Sequence, residues 1–132
     1  MGALAIHHVG FAVENLDRAV ADYERLFGAA LEDRAVGEGM EAVTVLVGDD
    51  RIELLSSEDG ETPIGKFLTR RGPGMHHVAY AVDDIHDELQ ALADAGVELI
   101  DAEPRLGMFG HQIAFAQPDS VHGVLTELVA DG

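Results

Sequence analysis

Ile6-His7-His8-Val9-Gly10-Phe11-Ala12-Val13-Glu14-Asn15 returns half a chain later as Met75-His76-His77-Val78-Ala79-Tyr80-Ala81-Val82-Asp83-Asp84. Nearly every position is identical or closely substituted. Self-similarity of this kind marks a duplicated unit that cannot cover its own apolar face and so packs with its copy. The segments after the two copies also match. Leu16, Ala19, Val20, Tyr23 and Phe27 share one helical face, with Asn15 placed as N-cap and Gly28 as stop. Ile85, Leu89, Leu92 and Ala93 repeat that face, with Asp83 or Asp84 as cap and Gly96 as stop. Strand-like segments come next, at 30–36, 42–48 and 51–56 in the first half and at 97–101, 112–116 and 124–129 in the second. Each half therefore reads as strand, helix and three strands, an α+β design.

The repeat also sets the boundaries. One domain, residues 1–132, holds two modules at about 1–58 and 75–132, joined by a linker over 59–74. Thr62-Pro63 opens a short linker helix with proline in its first turn. Ile64, Phe67 and Leu68 give that helix an apolar edge, and Gly72-Pro73-Gly74 ends it.

Composition narrows the function. Apolar residues make up 47% of the 132, so the chain buries a core without disulfide staples, and it has no cysteine to form them. Thiolate catalysis, a zinc finger and an iron–sulfur site are excluded. The formal charge of -17 repels phosphate backbones and anionic lipid, which argues against nucleic-acid and membrane partners. No run approaches the roughly 20 apolar residues of a membrane span, and no signal peptide is evident. The expected location is the cytoplasm.

Strand alternation assigns the faces. His8 shares a face with Gly10 and Ala12, and His77 with Ala79 and Ala81, so both copies set an imidazole among small residues. His7, Val9, Phe11 and Val13, and likewise His76, Val78, Tyr80 and Val82, take the bulky face that packs under a helix. His7 and His76 are thus structural. His86, His111 and His122 fall in helix or loop and read as solvated, with His111 able to edge the cleft. The last strand of each half carries an acid, Glu53 in Arg51-Ile52-Glu53-Leu54-Leu55 and Glu127 in Leu125-Thr126-Glu127-Leu128-Val129. A carboxylate inside an apolar strand is costly if buried alone. Its recurrence at matching places predicts a divalent metal site built from His8, Glu53, His77 and Glu127.

The paired His-His-Val units and Glu-bearing last strands resemble the vicinal oxygen chelate superfamily. Finer runs resemble the methylmalonyl-CoA epimerases within it: Thr62-Pro63-Ile64-Gly65-Lys66-Phe67-Leu68, Arg71-Gly72-Pro73-Gly74-Met75-His76-His77, Asp101-Ala102-Glu103-Pro104-Arg105-Leu106-Gly107 and His122-Gly123-Val124-Leu125-Thr126-Glu127-Leu128. The resemblance implies two paired βαβββ modules forming a U-shaped open sheet around a metal-binding cleft. It implies C2 epimerisation of methylmalonyl-CoA by proton abstraction and return through a metal-stabilised enolate. The ion expected is Co2+, with Mn2+, Ni2+ or Zn2+ able to serve, and the expected assembly is a homodimer.

Glu127 is the first candidate for proton transfer; the second is Glu41, which alternation sets on the other face, or Glu38, or a metal-bound water. Ala42 stands where some relatives carry the second acid. Gln117-Pro118-Asp119 replaces the usual His-Pro-Lys. Lys66, Arg70 and Arg71 crowd into one helix end and are the candidate contacts for coenzyme A phosphates. The same ligands would serve a glyoxalase-type lyase, against which the linker and C-terminal runs argue. A non-catalytic small-molecule-binding module would not need four metal ligands.

Overall fold

A computed structural model describes residues 2–131. Among them the elements run β1 (Ala5–Ala12), α1 (Leu16–Phe27), β2 (Ala30–Gly37), β3 (Met40–Val47), β4 (Asp50–Ser56), α2 (Pro63–Arg71), β5 (Gly74–Ala81), α3 (Ile85–Asp94), β6 (Arg105–Leu106), β7 (Gln112–Ala116) and β8 (Thr126–Ala130). The βαβββ order appears twice, as the repeat predicts. By contacts the residues form two compact units, one over 8–76 and one from 77 onward that also takes in the residues up to 7. The units cut across the repeat because the N-terminal segment adds to the second one, where the Leu4 N–H donates to the Ala81 carbonyl at 2.8 Å.

In the unit over 8–76 the strand order is β2-β3-β4-β1. β2, β3 and β4 are antiparallel, and β1 joins β4 in parallel with Gly10 opposite Glu53. The parallel step needs a crossover, and α1 begins it. Asn15 caps α1 by accepting from the Arg18 N–H at 3.0 Å. Gly28 closes it at φ 67, a left-handed conformation that glycine adopts without penalty. Leu16 and Val20 bury against Val43, Val45 and Leu54, with Phe11, Val13, Ala19 and Tyr23 packed around them. Phe27, expected on this face, is the last residue of α1 and is exposed, its ring 5.5 Å from that of Tyr23.

The linker helix is present as α2, its cap Thr62 accepting from the Gly65 N–H at 3.0 Å. The Ser57 hydroxyl donates to the Gly39 carbonyl at 2.8 Å and ties the β2–β3 turn to the start of the linker.

In the second unit the order is β5-β8-β7-β6, with β5 parallel to β8 and Ala79 opposite Glu127. Asp84 caps α3 through the Asp87 N–H. Ile85 and Leu89 bury with Val82, Ala114, Leu128 and Ala130. The strand expected over 97–101 is not formed. It shrinks to a bridge between Leu99 and Ala116, and the paired segment moves to β6. Asp101 is the cause, since its carboxylate accepts from the Phe115 N–H at 2.9 Å and replaces a ladder bond with a side chain. A 3-10 turn at Pro118–Val121, invisible to periodicity, leads into β8 through His122 at φ 54. β8 accordingly starts at Thr126, two residues later than the sequence suggests.

Candidate active site

The register of each parallel strand pair builds half of the candidate site. Glu53 lies opposite Gly10, and His8 precedes Gly10 by one step on the same face. Glu127 lies opposite Ala79, and His77 precedes Ala79 by the same step. The small residue beside each carboxylate leaves the imidazole room to reach it. His8 Nε2 stands 3.6 Å from Glu53 Oε1, and His77 Nε2 stands 3.2 Å from Glu127 Oε1. All four are buried: His8 is 5% exposed, Glu53 9%, His77 3% and Glu127 5%.

The other faces carry what alternation assigned to them. Phe11 and Tyr80 join the helix-side packing of their units. His76 meets Phe67 edge-on at 5.1 Å, and His7 meets His111 at 5.3 Å. His111 Nδ1 lies 3.2 Å from the Asp131 carboxylate. His86 and His122 are exposed. Arg51 makes a bidentate pair with Glu32, at 2.6 and 2.9 Å.

Glu41 does not join Glu53. Thr44 is the residue opposite Glu53, and Glu41 lies opposite Ser56. Odd-numbered β3 residues Val43 and Val45 pack under α1, so Glu41 takes the α1 side and is exposed there. Glu41 therefore lies on the face away from Glu53, where alternation sets it. Lys66, Arg70 and Arg71 are exposed on α2, with the Arg71 guanidinium 5.6 Å from the centre of the Phe67 ring.

Two residues that sequence reading passed over line the same faces as the acids. Phe115 lies opposite Glu127 and meets the His77 ring edge-on at 5.8 Å, with the Arg105 guanidinium 5.7 Å from the centre of the Phe115 ring. Thr44 is 4% exposed, and its hydroxyl has no hydrogen-bond partner. Such a group costs about 1–3 kcal/mol when left unpaired. The available signal was a lone hydroxyl in the apolar run Ala42-Val43-Thr44-Val45-Leu46-Val47.

This donor set fits a divalent ion. Neighbouring ligands on an ion bound at ~2.1 Å stand about 3 Å apart, the scale of both His–Glu separations. Imidazole with carboxylate suits borderline first-row ions. A cation held beside these buried carboxylates would offset part of their desolvation.

A doubled βαβββ module with one buried His–Glu pair in each copy defines a class of metal-binding folds. The model of the Glyoxalase/Bleomycin resistance protein/Dioxygenase superfamily matches residues 7–115, and the chain belongs to that superfamily. Its relatives place it more narrowly. It is 34% identical over 131 residues to the mitochondrial methylmalonyl-CoA epimerase of Dictyostelium discoideum, covering 97% of this chain and 79% of the relative. It is 32% identical over 128 residues to the ethylmalonyl-CoA/methylmalonyl-CoA epimerase of Cereibacter sphaeroides, covering 93% and 95%. A solved methylmalonyl-CoA epimerase in complex with methylmalonyl-CoA and NH4+ superposes with a TM-score of 0.94 at 31% identity, covering 99% of this chain and 96% of that one.

Proposed function

We propose that this chain interconverts the C2 epimers of methylmalonyl-CoA, with His8, Glu53, His77 and Glu127 holding one divalent ion. The observation that carries the reading is the same His–Glu pair at the same register in both modules. Kinship with epimerases supplies the substrate. A divalent ion held there would supply Lewis-acid stabilisation of the negative charge that develops beside C2 as its proton leaves. Glu127 accepts that proton from one side of C2, and delivery of a proton to the opposite side completes the inversion. A positioned base contributes roughly 10²–10⁴-fold. Phe115 gives Glu127 an apolar neighbour, so fewer solvent groups compete for the carboxylate.

On this reading Lys66, Arg70 and Arg71 receive the coenzyme A phosphates, a local cationic patch in a chain of net charge -17. The ion is Co2+ first, with Mn2+, Ni2+ or Zn2+ as substitutes, and the working form is a cytoplasmic homodimer. Among the described residues no helix is long and apolar enough to cross a membrane.

The test is a chiral assay on one C2 epimer of methylmalonyl-CoA with chelator-stripped protein, reconstituted ion by ion. Epimerisation should be absent from the stripped protein and return with Co2+. Failure with every ion refutes the proposal.

A further inference from the structure

The duplication is faithful in the strands that carry the ligands and unfaithful in the strands beside them. Each acid has one antiparallel cross-strand neighbour. For Glu127 it is Phe115, and for Glu53 it is Thr44. The second half therefore sets a phenyl ring beside its carboxylate, and the first half a hydroxyl. Thr44 is buried and its hydroxyl lacks a partner. Valine has the same shape without an unpaired group, and Val43 and Val45 flank it, so packing alone gives no reason for threonine here.

We propose that Thr44 is a positioning residue for Glu53: its hydroxyl donates to the Glu53 carboxylate when that carboxylate binds the divalent ion. The inference rests on the functional reading above and deepens it. Directly opposed residues have Cβ atoms about 4.5–5.5 Å apart, and one rotation about χ1 swings a threonine hydroxyl toward its neighbour. A carboxylate bound to an ion through one oxygen presents the other as an acceptor, and such outer partners fix a ligand's orientation. The asymmetry separates the two acids. Glu53, held by a hydroxyl, serves as a fixed ligand. Glu127, beside a phenyl ring, keeps an oxygen for proton transfer.

The experiment compares wild type, Thr44→Val and Thr44→Ser by titrating chelator-stripped protein with Co2+, followed by calorimetry and the cobalt visible absorption. Thr44→Val should raise the Kd for Co2+ about tenfold or more, the usual loss for such a partner. Thr44→Ser, which keeps the hydroxyl, should stay within about threefold. The ion-free Thr44→Val protein should melt no lower than wild type, because its core loses an unpaired group and no volume. Unchanged Co2+ affinity in Thr44→Val overturns the assignment, and so does equal weakening in both variants, which marks a packing effect. If wild type binds Co2+ and epimerises while Thr44→Val matches it, Thr44 alone is misassigned. If wild type neither binds a divalent ion nor epimerises, the functional reading fails and takes Thr44 with it.

Discussion

Replacing Glu127 by glutamine keeps the size of the side chain and removes both its charge and its ability to accept a proton. Glu127 is 5% exposed, with an oxygen 3.2 Å from His77 Nε2. Losing a positioned base costs roughly 10²–10⁴ in rate, or about 2.7–5.4 kcal/mol of barrier. Some loss of ion affinity comes with it, because the site also loses an anionic ligand. Glu53→Gln separates the two effects. It removes the matching charge from the other module and leaves the base in place. The assay follows loss of chirality from one epimer of methylmalonyl-CoA in deuterated buffer, over a range of Co2+ up to saturation. Glu53→Gln should need more Co2+ and then recover to within about tenfold of the wild-type kcat, well short of the loss of a base. Glu127→Gln should stay at least about 10²-fold slow at every Co2+ concentration, with deuterium entry at C2 slowed equally. If both variants recover alike at saturation, Glu127 is a ligand only, and proton transfer belongs to another group.

Removing the ion should lower thermal stability. Co2+ at about 100 times its Kd adds about 2.7 kcal/mol to the folded state. For a chain of 132 residues that is about 10 °C in Tm, and scanning calorimetry with and without chelator checks it; identical melts would exclude a tight site. Gly65→Ala should destabilise by about 2–3 kcal/mol, since an added Cβ runs into the Asp59 backbone carbonyl, an obstacle with no freedom to swing aside. A variant that melts with wild type would refute that packing. Glu41→Gln should leave turnover within about twofold, as expected of an exposed residue on the α1 side of β3, and a loss above about tenfold in the same chiral assay would restore it as a proton carrier.

The two His–Glu pairs were legible because they rest on local rules. Alternation alone separates His8 from His7 and His77 from His76, and the repeat checks each assignment against an independent copy. Caps at Asn15 and Thr62 follow from side-chain chemistry next to an apolar helical face, and both are made. The expectations that failed depended on partners distant in sequence. Residues 97–101 have the composition of a strand, yet the Asp101 carboxylate takes the Phe115 N–H and breaks the ladder. Thr44 and Phe115 went unread because their importance comes from what lies across the strand pair. No sequence window contains both a residue of β3 and its opposite number in β4 with their register attached.

The register also explains why a half-site arises in each module before any question of assembly. In a parallel pair, adjacent strands advance together, so a residue one same-face step before Gly10 or Ala79 is a fixed neighbour of the acid opposite. Folding one module therefore commits a carboxylate and an imidazole to the same buried spot. Burial strips hydration from the carboxylate, and the imidazole beside it offsets part of that cost. A cation bound there would add to that offset, because it would attract the carboxylate and accept the imidazole lone pair at once. Gly10 and Ala79 are the small residues opposite the acids. A branched side chain at either place would fill the space beside the acid and crowd the imidazole. Ion affinity and thermal stability should accordingly fall together on substitution of any of the four proposed ligands, with turnover at saturating ion separating Glu127 from Glu53, whereas Thr44→Val should weaken ion binding without lowering the stability of the ion-free chain.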